Sequence, residues 1–592
     1  MTAVTDRPLV RPGRSRAEVV AAAPRRRVRP ERVAAGLTLV TLGVLACVAL
    51  ARIDVSVPNI IASWRNAQNF FQRVGVVRFP DAATLLQQTA LTLGLVLLGT
   101  LLAAVLSVPV AYLAASNTSP GRAWVAAARF VSVLTRAVPD VVLAMVFVLL
   151  FTIGPLPGIL AIGIHSVGMI SKLFADAVEQ IDEGPRTAIR ATGGSRLQQF
   201  TAGVLPQVLP SWVATVLHRN DINLRGSVIL GYVGIVGLGR EMSFAFKSLD
   251  YSLGIGYAIV IFALCVLMEV VSSAVRAVML GVAPSGRGLG TIAVRAGMRR
   301  RARRRGAPTA PQAGSRTTGR TGPAVRSHTP EQALRRPWTT ARVRTTVWSW
   351  VAVLVVVGSV VVCDIAWGDL ATVWAKVPPV AVQFWPPSAG SYGSQVMVAA
   401  MVDTVGIALA ATLLALVGSM VVGSLAARNV APTRSVRGAA RLLLVAVRGV
   451  PETILAVVLI VVTGLGAQAG TLALAFGGIG LLGKLVADSL EEVQAGPERA
   501  LTATGATRSQ RYAAATLPQG MPAVVGHTFY LVDTNIRAAT VLGIVGGGGI
   551  GYYLLNAAQG SDYGTVTGIV LMILVTVLAV EGIAVWIRRV SR

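Results

Sequence analysis

The stretch EEVQAGPERALTATGATRSQRYAAATLPQGMP at residues 491–522 is polar, punctuated by Gly and bounded by Pro, yet apolar runs flank it on both sides. Residues 179–210, EQIDEGPRTAIRATGGSRLQQFTAGVLPQVLP, are nearly the same piece again. Sliding the chain against itself by 312 positions aligns Thr92–Gly239 with Thr404–Gly551 without a gap. The register holds for polar residues, which shared hydrophobicity alone would not align. Arg136 and Pro139 meet Arg448 and Pro451; Lys172, Asp176 and Glu179 meet Lys484, Asp488 and Glu491; Asp221, Asn223 and Arg225 meet Asp533, Asn535 and Arg537. The chain is one unit written twice.

The medium in which this unit folds is set by composition. Of 592 residues, 54% are hydrophobic and 14% charged, and the mean hydropathy is +0.66, far from a soluble composition. A helix needs about 20 apolar residues to cross the bilayer core. Candidate spans occur at Val33–Ala51, Thr89–Ala115, Val138–Ile153, Gly158–Val178, Trp212–Gly231 and Gly254–Leu280, and again at Val347–Cys363, Met401–Ala427, Val450–Gly464, Leu472–Leu490, Val524–Val545 and Tyr563–Ile587. The expected fold is therefore an all-α integral membrane protein of about 12 transmembrane helices, arranged as two direct six-helix repeats. Domain boundaries are expected at a basic tail 1–32, a first repeat 33–284, an Arg/Gly/Pro-rich linker 285–344 and a second repeat 345–592.

The net charge of +28 invites a nucleic-acid reading, but its distribution argues otherwise. Lys occurs only at 172, 247, 376 and 484; the Arg residues crowd into Arg7–Arg32, Arg287–Arg344 and Arg588, Arg589 and Arg592, while Ile53–Gln88 and Asp364–Ala400 carry few. By the positive-inside rule both termini and the linker face the cytoplasm. Each half then crosses an even number of times, and the two share one orientation, unlike inverted repeats. The linker reads as a flexible tether whose Arg runs favour anionic lipid headgroups. The first apolar run follows a 32-residue basic tail and precedes no small-residue cleavage site, so it is expected to be a retained span. Cys47, Cys265 and Cys363 lie singly in apolar spans and read as packing residues, so no metal set is expected.

Within the repeated polar stretch, PRTAIRAT lies between Gly184 and Gly193, and PERALTAT between Gly496 and Gly505. Pro at a first helical position and Gly just past the last predict a helix of two turns, about 12 Å long, in each copy. Ser195-Arg-Leu-Gln198 and Thr507-Arg-Ser-Gln510 then fit the capping box that starts another helix, which Leu205-Pro206 and Leu517-Pro518 bend into the next span. Isolated helices shorter than roughly 12 residues are marginal in water, so something must hold each short one. Packing against the protein's own loops and docking into a soluble partner both satisfy that need.

These residues resemble a family. Glu179, Gly184, Gly193 and Leu205-Pro206, repeated as Glu491, Gly496, Gly505 and Leu517-Pro518, look like the EAA-type signature of permease subunits in ABC importers. RAVPDVVLA and RGVPETILA, SKLFADAVEQIDEGP and GKLVADSLEEVQAGP, and DTNIRAATVLGIVGGGGIG resemble the phosphonate-type (PhnE-like) permeases. The resemblance spans both repeats and implies a type I ABC importer-like fold with two permease units fused in one chain. It implies that Glu179, Gly184, Pro185, Ala188 and Gly193, with Glu491, Gly496, Pro497, Ala500 and Gly505, belong to helices that couple to a cytoplasmic ATPase present in two copies. It also implies an extracytoplasmic substrate-binding protein, a bacterial cell membrane, and ATP-driven import of phosphonate, phosphite or phosphate. A methionine-type amino-acid importer is the alternative, and a non-transporting scaffold or a passive channel are rivals from other classes.

The remaining motifs point away from enzymatic chemistry in this chain. GGIGLLGKL at 477–485 approaches the phosphate-loop pattern, but Leu485 stands where Ser or Thr should hold magnesium, and the run lies in an apolar span. No cofactor is expected on this chain, and ATP with Mg belongs on the partner ATPase. Charges inside spans cost about 2.5 to 3.5 kcal/mol each on insertion scales, so each needs a reason. Asp221 with Arg225 and Asp533 with Arg537 are spaced to pair along one helical face or to serve an anion pathway. Arg136 and Arg448 suit either anchoring or function, and Lys172 and Lys484 suit snorkelling. Gly546, Gly547, Gly548, Gly549 and Gly551 allow a helix break or close packing; the partner segment Gly231–Gly239 has lost two of these glycines, so the halves need not be equal.

Overall fold

A computed structural model describes residues 30–53, 57–151, 153–280 and 340–591. Most of the basic tail and of the linker lies outside these residues. Among the described residues each half builds ten α-helices of nine residues or more in the same order. The first half has α1 (Pro30–Arg52), α2 (Val57–Val74), α3 (Ala82–Ala114), α4 (Arg122–Ala137), α5 (Asp140–Phe151), α6 (Pro155–Glu179), α7 (Glu183–Ala191), α8 (Leu205–Leu230), α9 (Leu238–Lys247) and α10 (Tyr251–Leu280). The second repeats them as α11 (Thr340–Cys363), α12 (Trp367–Gln383), α13 (Ser394–Ala426), α14 (Arg434–Gly449), α15 (Glu452–Thr463), α16 (Ala467–Glu491), α17 (Ala495–Ala503), α18 (Leu517–Val545), α19 (Ile550–Gln559) and α20 (Tyr563–Ser591).

Among the described residues nine helices are long and apolar enough to cross a membrane, and up to 12 spans result if each of three bent pairs counts as one. The spans expected at Val138–Ile153 and Val450–Gly464 each form the second arm of a bent pair. Each is a helix of 12 residues, α5 or α15, about 18 Å long and too short to cross alone. Each is bent from the amphipathic helix before it, by 83° between α4 and α5 and by 81° between α14 and α15. The cause is local. Val138 and Val450 precede Pro, and the proline ring excludes the helical conformation of the residue before it. Both are extended, with φ −80°, ψ 122° and φ −79°, ψ 122°, so the same dipeptide turns the chain the same way twice.

In a bilayer, polar side chains on inward faces must bond to other helices. Asn223 Nδ2 on α8 donates to Thr100 Oγ1 on α3 at 2.9 Å, and Asn535 on α18 donates to Thr412 on α13 at the same 2.9 Å. Thr92 Oγ1 accepts the N–H of Leu238 at 2.9 Å, and Thr404 that of Ile550 at 2.8 Å, which caps α9 and α19. Around these bonds α3 packs along α6 and α13 along α16. Outside the hydrocarbon, Arg78 donates to Asp250 at 2.6 Å. The N–H of Leu253 and that guanidinium hold the Asp250 carboxyl below its ordinary range.

The two halves exchange their first helices: α1 lies along α13 and α11 along α3. The main core consequently mixes both halves, with Leu95, Ile159 and Leu238 in one cluster with Met401, Ile536 and Ile550. The exchange is tight at Gly94, where a Cβ would stand 2.9 Å from Cys363 Sγ on α11. A disulfide holds its Cβ atoms about 3.8 Å apart. Gly94→Cys, with Cys47 and Cys265 replaced by Ala and a protease site placed in the linker, is expected to keep the cleaved halves joined on a non-reducing gel. Separation of the halves before reduction would refute the exchange.

Candidate functional site

Two surfaces carry the repeated polar residues. The first is the pair α7 and α17. Pro at the first helical position is not what the structure shows: α7 begins two residues earlier, at Glu183, because Asp182 Oδ1 caps it by accepting the Gly184 N–H at 2.9 Å. The predicted ends hold, with Gly193 at φ +80° and Gly505 at φ +77°, a left-handed geometry that glycine adopts without a Cβ penalty. Both capping boxes form, Ser195 with Gln198 and Thr507 with Gln510. The turn toward each following span is smoothed rather than kinked: π-helical runs at Gln199–Val204 and Tyr512–Thr516 carry the chain into Leu205-Pro206 and Leu517-Pro518.

Neither α7 nor α17 has a buried residue, and Gly184, Pro185, Ala188 and Gly193, like Gly496, Pro497, Ala500 and Gly505, are exposed. Glu179 and Glu491 behave differently. Glu179 Oε1 accepts the Ser116 N–H at 2.8 Å and Arg129 Nη2 at 3.2 Å, while Glu491 Oε1 accepts the Arg428 N–H at 2.7 Å and an Arg441 nitrogen. Asn117 and Asn429 add bonds to the carbonyls of Val178 and Leu490, each at 2.8 Å. Each glutamate therefore ties the end of α6 or α16 to the preceding loop and to α4 or α14. It steadies the start of the short helix that follows; Glu491 is half-buried in this position and Glu179 remains exposed.

The second surface is the seam between the halves. Arg136 on α4 donates to Glu581 on α20 at 2.8 Å, which joins opposite halves. The equivalent glutamate, Glu269 on α10, lies 3.9 Å from Arg225, and Arg225 Nη1 donates to the Arg448 carbonyl at 2.8 Å. The i, i+4 pairing expected from spacing is present in the second half, where Arg537 donates to Asp533 at 2.7 Å. In the first half Asp221 accepts from Ser272 at 3.0 Å while Arg225 reaches across the seam. Equivalent pockets flank the two ends of the seam. One is lined by Arg129, Arg136 and Lys172 with Glu581 and encloses about 780 Å³; the other is lined by Arg441, Arg448 and Lys484 with Glu269 and encloses about 40 Å³.

The glycine run both breaks a helix and packs closely. Gly546, Gly548 and Gly549 have φ of +111°, +82° and +75° between α18 and α19. A Cβ on Gly547 would lie 3.0 Å from the Leu542 carbonyl, and one on Gly551 would collide with the Thr540 carbonyl. In the first half the chain breaks at the corresponding place with Gly234 and Gly237 at φ +95° and +129°, after a 3-10 turn at Gly231–Val233 and with Val236 where the second half has Gly548.

Sequence reasoning missed Arg219, Ser166, Asp140 and Glu452. Arg219 is buried on α8 and donates through Nε to Ser166 Oγ at 3.0 Å, and Ser166 donates to Asn223 Oδ1 at 3.1 Å. The signal was available in the repeat itself, since Arg219 and Ser166 align with Leu531 and Gly478. Attention to repeat-equal charges passed over a charge present once. Among the described residues no group of three metal-binding side chains occurs.

A bilayer-spanning helical pair with a polar seam and two exposed helices on one face defines a membrane permease built from two like units. Residues 107–279 and 419–591 match the family described as binding-protein-dependent transport system inner membrane component, offset by the same 312 positions, and the chain belongs to that family. It is 38% identical over 563 residues, 93% of this chain and 92% of the relative, to a Mycolicibacterium smegmatis protein named phosphate-import permease protein PhnE. It is 37% identical over 185 residues, 31% of this chain and 67% of the relative, to a Stutzerimonas stutzeri protein named phosphite transport system permease protein PtxC. A solved structure titled inward facing conformations of the MetNI methionine ABC transporter aligns with 33% of this chain and 97% of its own at 23% identity and a TM-score of 0.31.

The Arg136–Glu581 bridge is half-shielded and spans the seam. A double-mutant cycle with Arg136→Ala and Glu581→Ala, read by denaturant unfolding in nanodiscs, is expected to give a coupling of about 0.5 to 2 kcal/mol. Strict additivity would show that the bridge holds nothing.

Proposed function

We infer that this chain is the transmembrane permease of an ATP-driven importer of phosphorus oxyanions, of the phosphate, phosphite and phosphonate class. The observation that carries the reading is the near full-length similarity to a phosphate-import permease, joined to a second like unit in the same chain. In this reading α7 and α17 are coupling helices received by two copies of a cytoplasmic ABC ATPase. Their exposed Gly, Pro and Ala faces, held from behind by Glu179 and Glu491, suit a socket on a partner. ATP and Mg are handled by that ATPase, and this chain is not an enzyme. A substrate-binding protein delivers the anion at the other face, in the membrane of a bacterial cell, with both termini and the linker cytoplasmic.

The seam then serves alternating access. Closure of the ATPase pair pushes α7 and α17, and with them the spans that they terminate. The bridge from Arg136 to Glu581 must break for the two halves to part at that end. Asp221, Arg225, Arg448, Asp533 and Arg537 are placed along the route that the parting exposes.

The test is uptake of labelled phosphate in cells that depend on this chain, with ATP depletion and with excess unlabelled phosphonate. ATP-dependent uptake blocked by phosphonate is expected. A Cβ on Gly496 meets nothing within 4 Å, and one on Gly184 meets only the free end of the Asp182 side chain at 3.2 Å, so Gly184→Trp with Gly496→Trp should leave the permease at normal membrane levels, with at most the loss of that cap, while uptake falls to background. Undiminished uptake by that double variant would remove the coupling role.

A further inference from the structure

Beside α7 lies a cavity of about 260 Å³ where three segments meet. The loop after α3 contributes Thr118 and Ser119, α7 contributes Arg186 and Arg190, and the capped turn that follows contributes Arg196. No acidic side chain lines it, whereas both seam pockets carry carboxylates. One water needs about 10 to 15 Å³ of such space, so the cavity takes a polyatomic anion together with several waters. Arg186 and Arg190 are spaced i, i+4 and share a stripe of α7. A Cβ on Gly203 would stand 3.0 Å from Arg186 Cα, so this stripe faces the π-helical run behind α7.

The three guanidinium groups are differently engaged. Arg186 pairs with Glu183 at 2.9 Å and donates to the Asn117 carbonyl, which fixes it as a wall of the cavity. Arg190 and Arg196 are exposed, and among the described residues their side chains form no hydrogen bond or ion pair. The neighbouring hydroxyls already donate elsewhere, Thr118 to the Tyr112 carbonyl at 2.7 Å and Ser119 to that of Gly121 at 3.2 Å. The unused donors are therefore guanidinium N–H groups, which bind phosphate oxygens through two parallel bonds each.

The second half has no such arrangement. Arg186 and Arg190 are replaced by Glu498 and Thr502, and Gln199 by Arg511. Arg511 Nη1 donates to Thr502 Oγ1 at 3.0 Å, and Arg508, the counterpart of Arg196, donates to the Pro432 carbonyl at 2.8 Å. Both capping boxes and both left-handed glycine ends form all the same, so building the short helix does not require the three arginines. Two like sockets on an ATPase pair would ask the same of both helices and do not account for them either.

We propose that Arg190 and Arg196, with Arg186 as the wall behind them, bind a phosphate group at the base of α7 and restrain that helix by bridging it to the turn after it. The coupling role of α7 rests on the importer reading above; the site does not. A free phosphate ion and an anionic lipid headgroup carry the same chemistry, and both are at hand on the cytoplasmic side. With the free ion, the imported product acts on the joint through which its own import is driven.

The experiment follows amide hydrogen exchange of the full chain in maltoside micelles, which carry no phosphate. Inorganic phosphate is added against chloride at equal ionic strength, so that screening is matched. A ligand bound only by the closed form slows local exchange in proportion to its excess over Kd. At roughly ten times the half-saturating concentration, residues 183–198 are expected to exchange about tenfold more slowly, with residues 495–510 unchanged. Arg190→Gln with Arg196→Gln, both at exposed positions, should remove the slowing, and Arg190→Lys with Arg196→Lys should keep part of it. A second arm uses nanodiscs containing phosphatidylglycerol and no inorganic phosphate. Slowing there alone, lost in the glutamine pair, assigns the site to a headgroup; slowing by phosphate in micelles assigns it to the free ion. No slowing in either arm, slowing that survives the glutamine pair, or equal slowing at 495–510 overturns the proposal. Slowing in a chain that imports no phosphorus oxyanion would remove the importer reading and leave the site standing, while ATP-dependent phosphate uptake without slowing would do the reverse.

Discussion

Lipid hydrocarbon offers no hydrogen bonds, so a polar side chain on a spanning helix must find its partner on another helix or pay several kcal/mol. The bonds from Asn223 to Thr100 and from Asn535 to Thr412 meet that demand at the centre of each half. They set the register of α8 on α3 and of α18 on α13. With Thr92 and Thr404 capping the next helices, they place the glycine turns, and these in turn direct α9 and α19. Exchange of α1 and α11 then covers each long helix with a helix from the other half. The protein is in this sense one bundle, although its chain is two units.

On that frame the conserved plan of the repeat and its departures do different work. What is equal in both halves is mechanical: the Val-Pro bends, the capping boxes, the exposed helices and the glutamates that steady them. Some of what differs lies along the seam. Arg136 closes on Glu581, while the corresponding end is arranged around Arg225, Glu269 and the Arg448 carbonyl.

The short helices show how a weak local element becomes a usable one. Nine residues cannot sustain a helix in water. Here α7 is stabilised by the Asp182 cap, by left-handed Gly193 and by an ion pair from Arg186 to Glu183 at 2.9 Å, and its outer face stays free of packing. The stabilising contacts lie at the ends and behind, so the face that a partner would receive carries no structural duty.

Much of this was legible in the chain alone. The 312-residue repeat, the membrane-spanning character, the two short helices with their glycine ends, and the break in the glycine run all rest on periodicity and on residues with narrow conformational preferences, which act locally. The sequence could not show that Val138–Ile153 and Val450–Gly464 are halves of bent pairs, because apolar length measures composition and not direction. Nor could it show that Asp221 and Arg225 take different partners while Asp533 and Arg537 pair, or that Arg136 meets Glu581 from a distance of 445 positions. Spacing along a helix names the partners within reach on that helix. Which partner is taken depends on what other helices bring to the same face, and in a bilayer, where no water competes, only tertiary packing decides that.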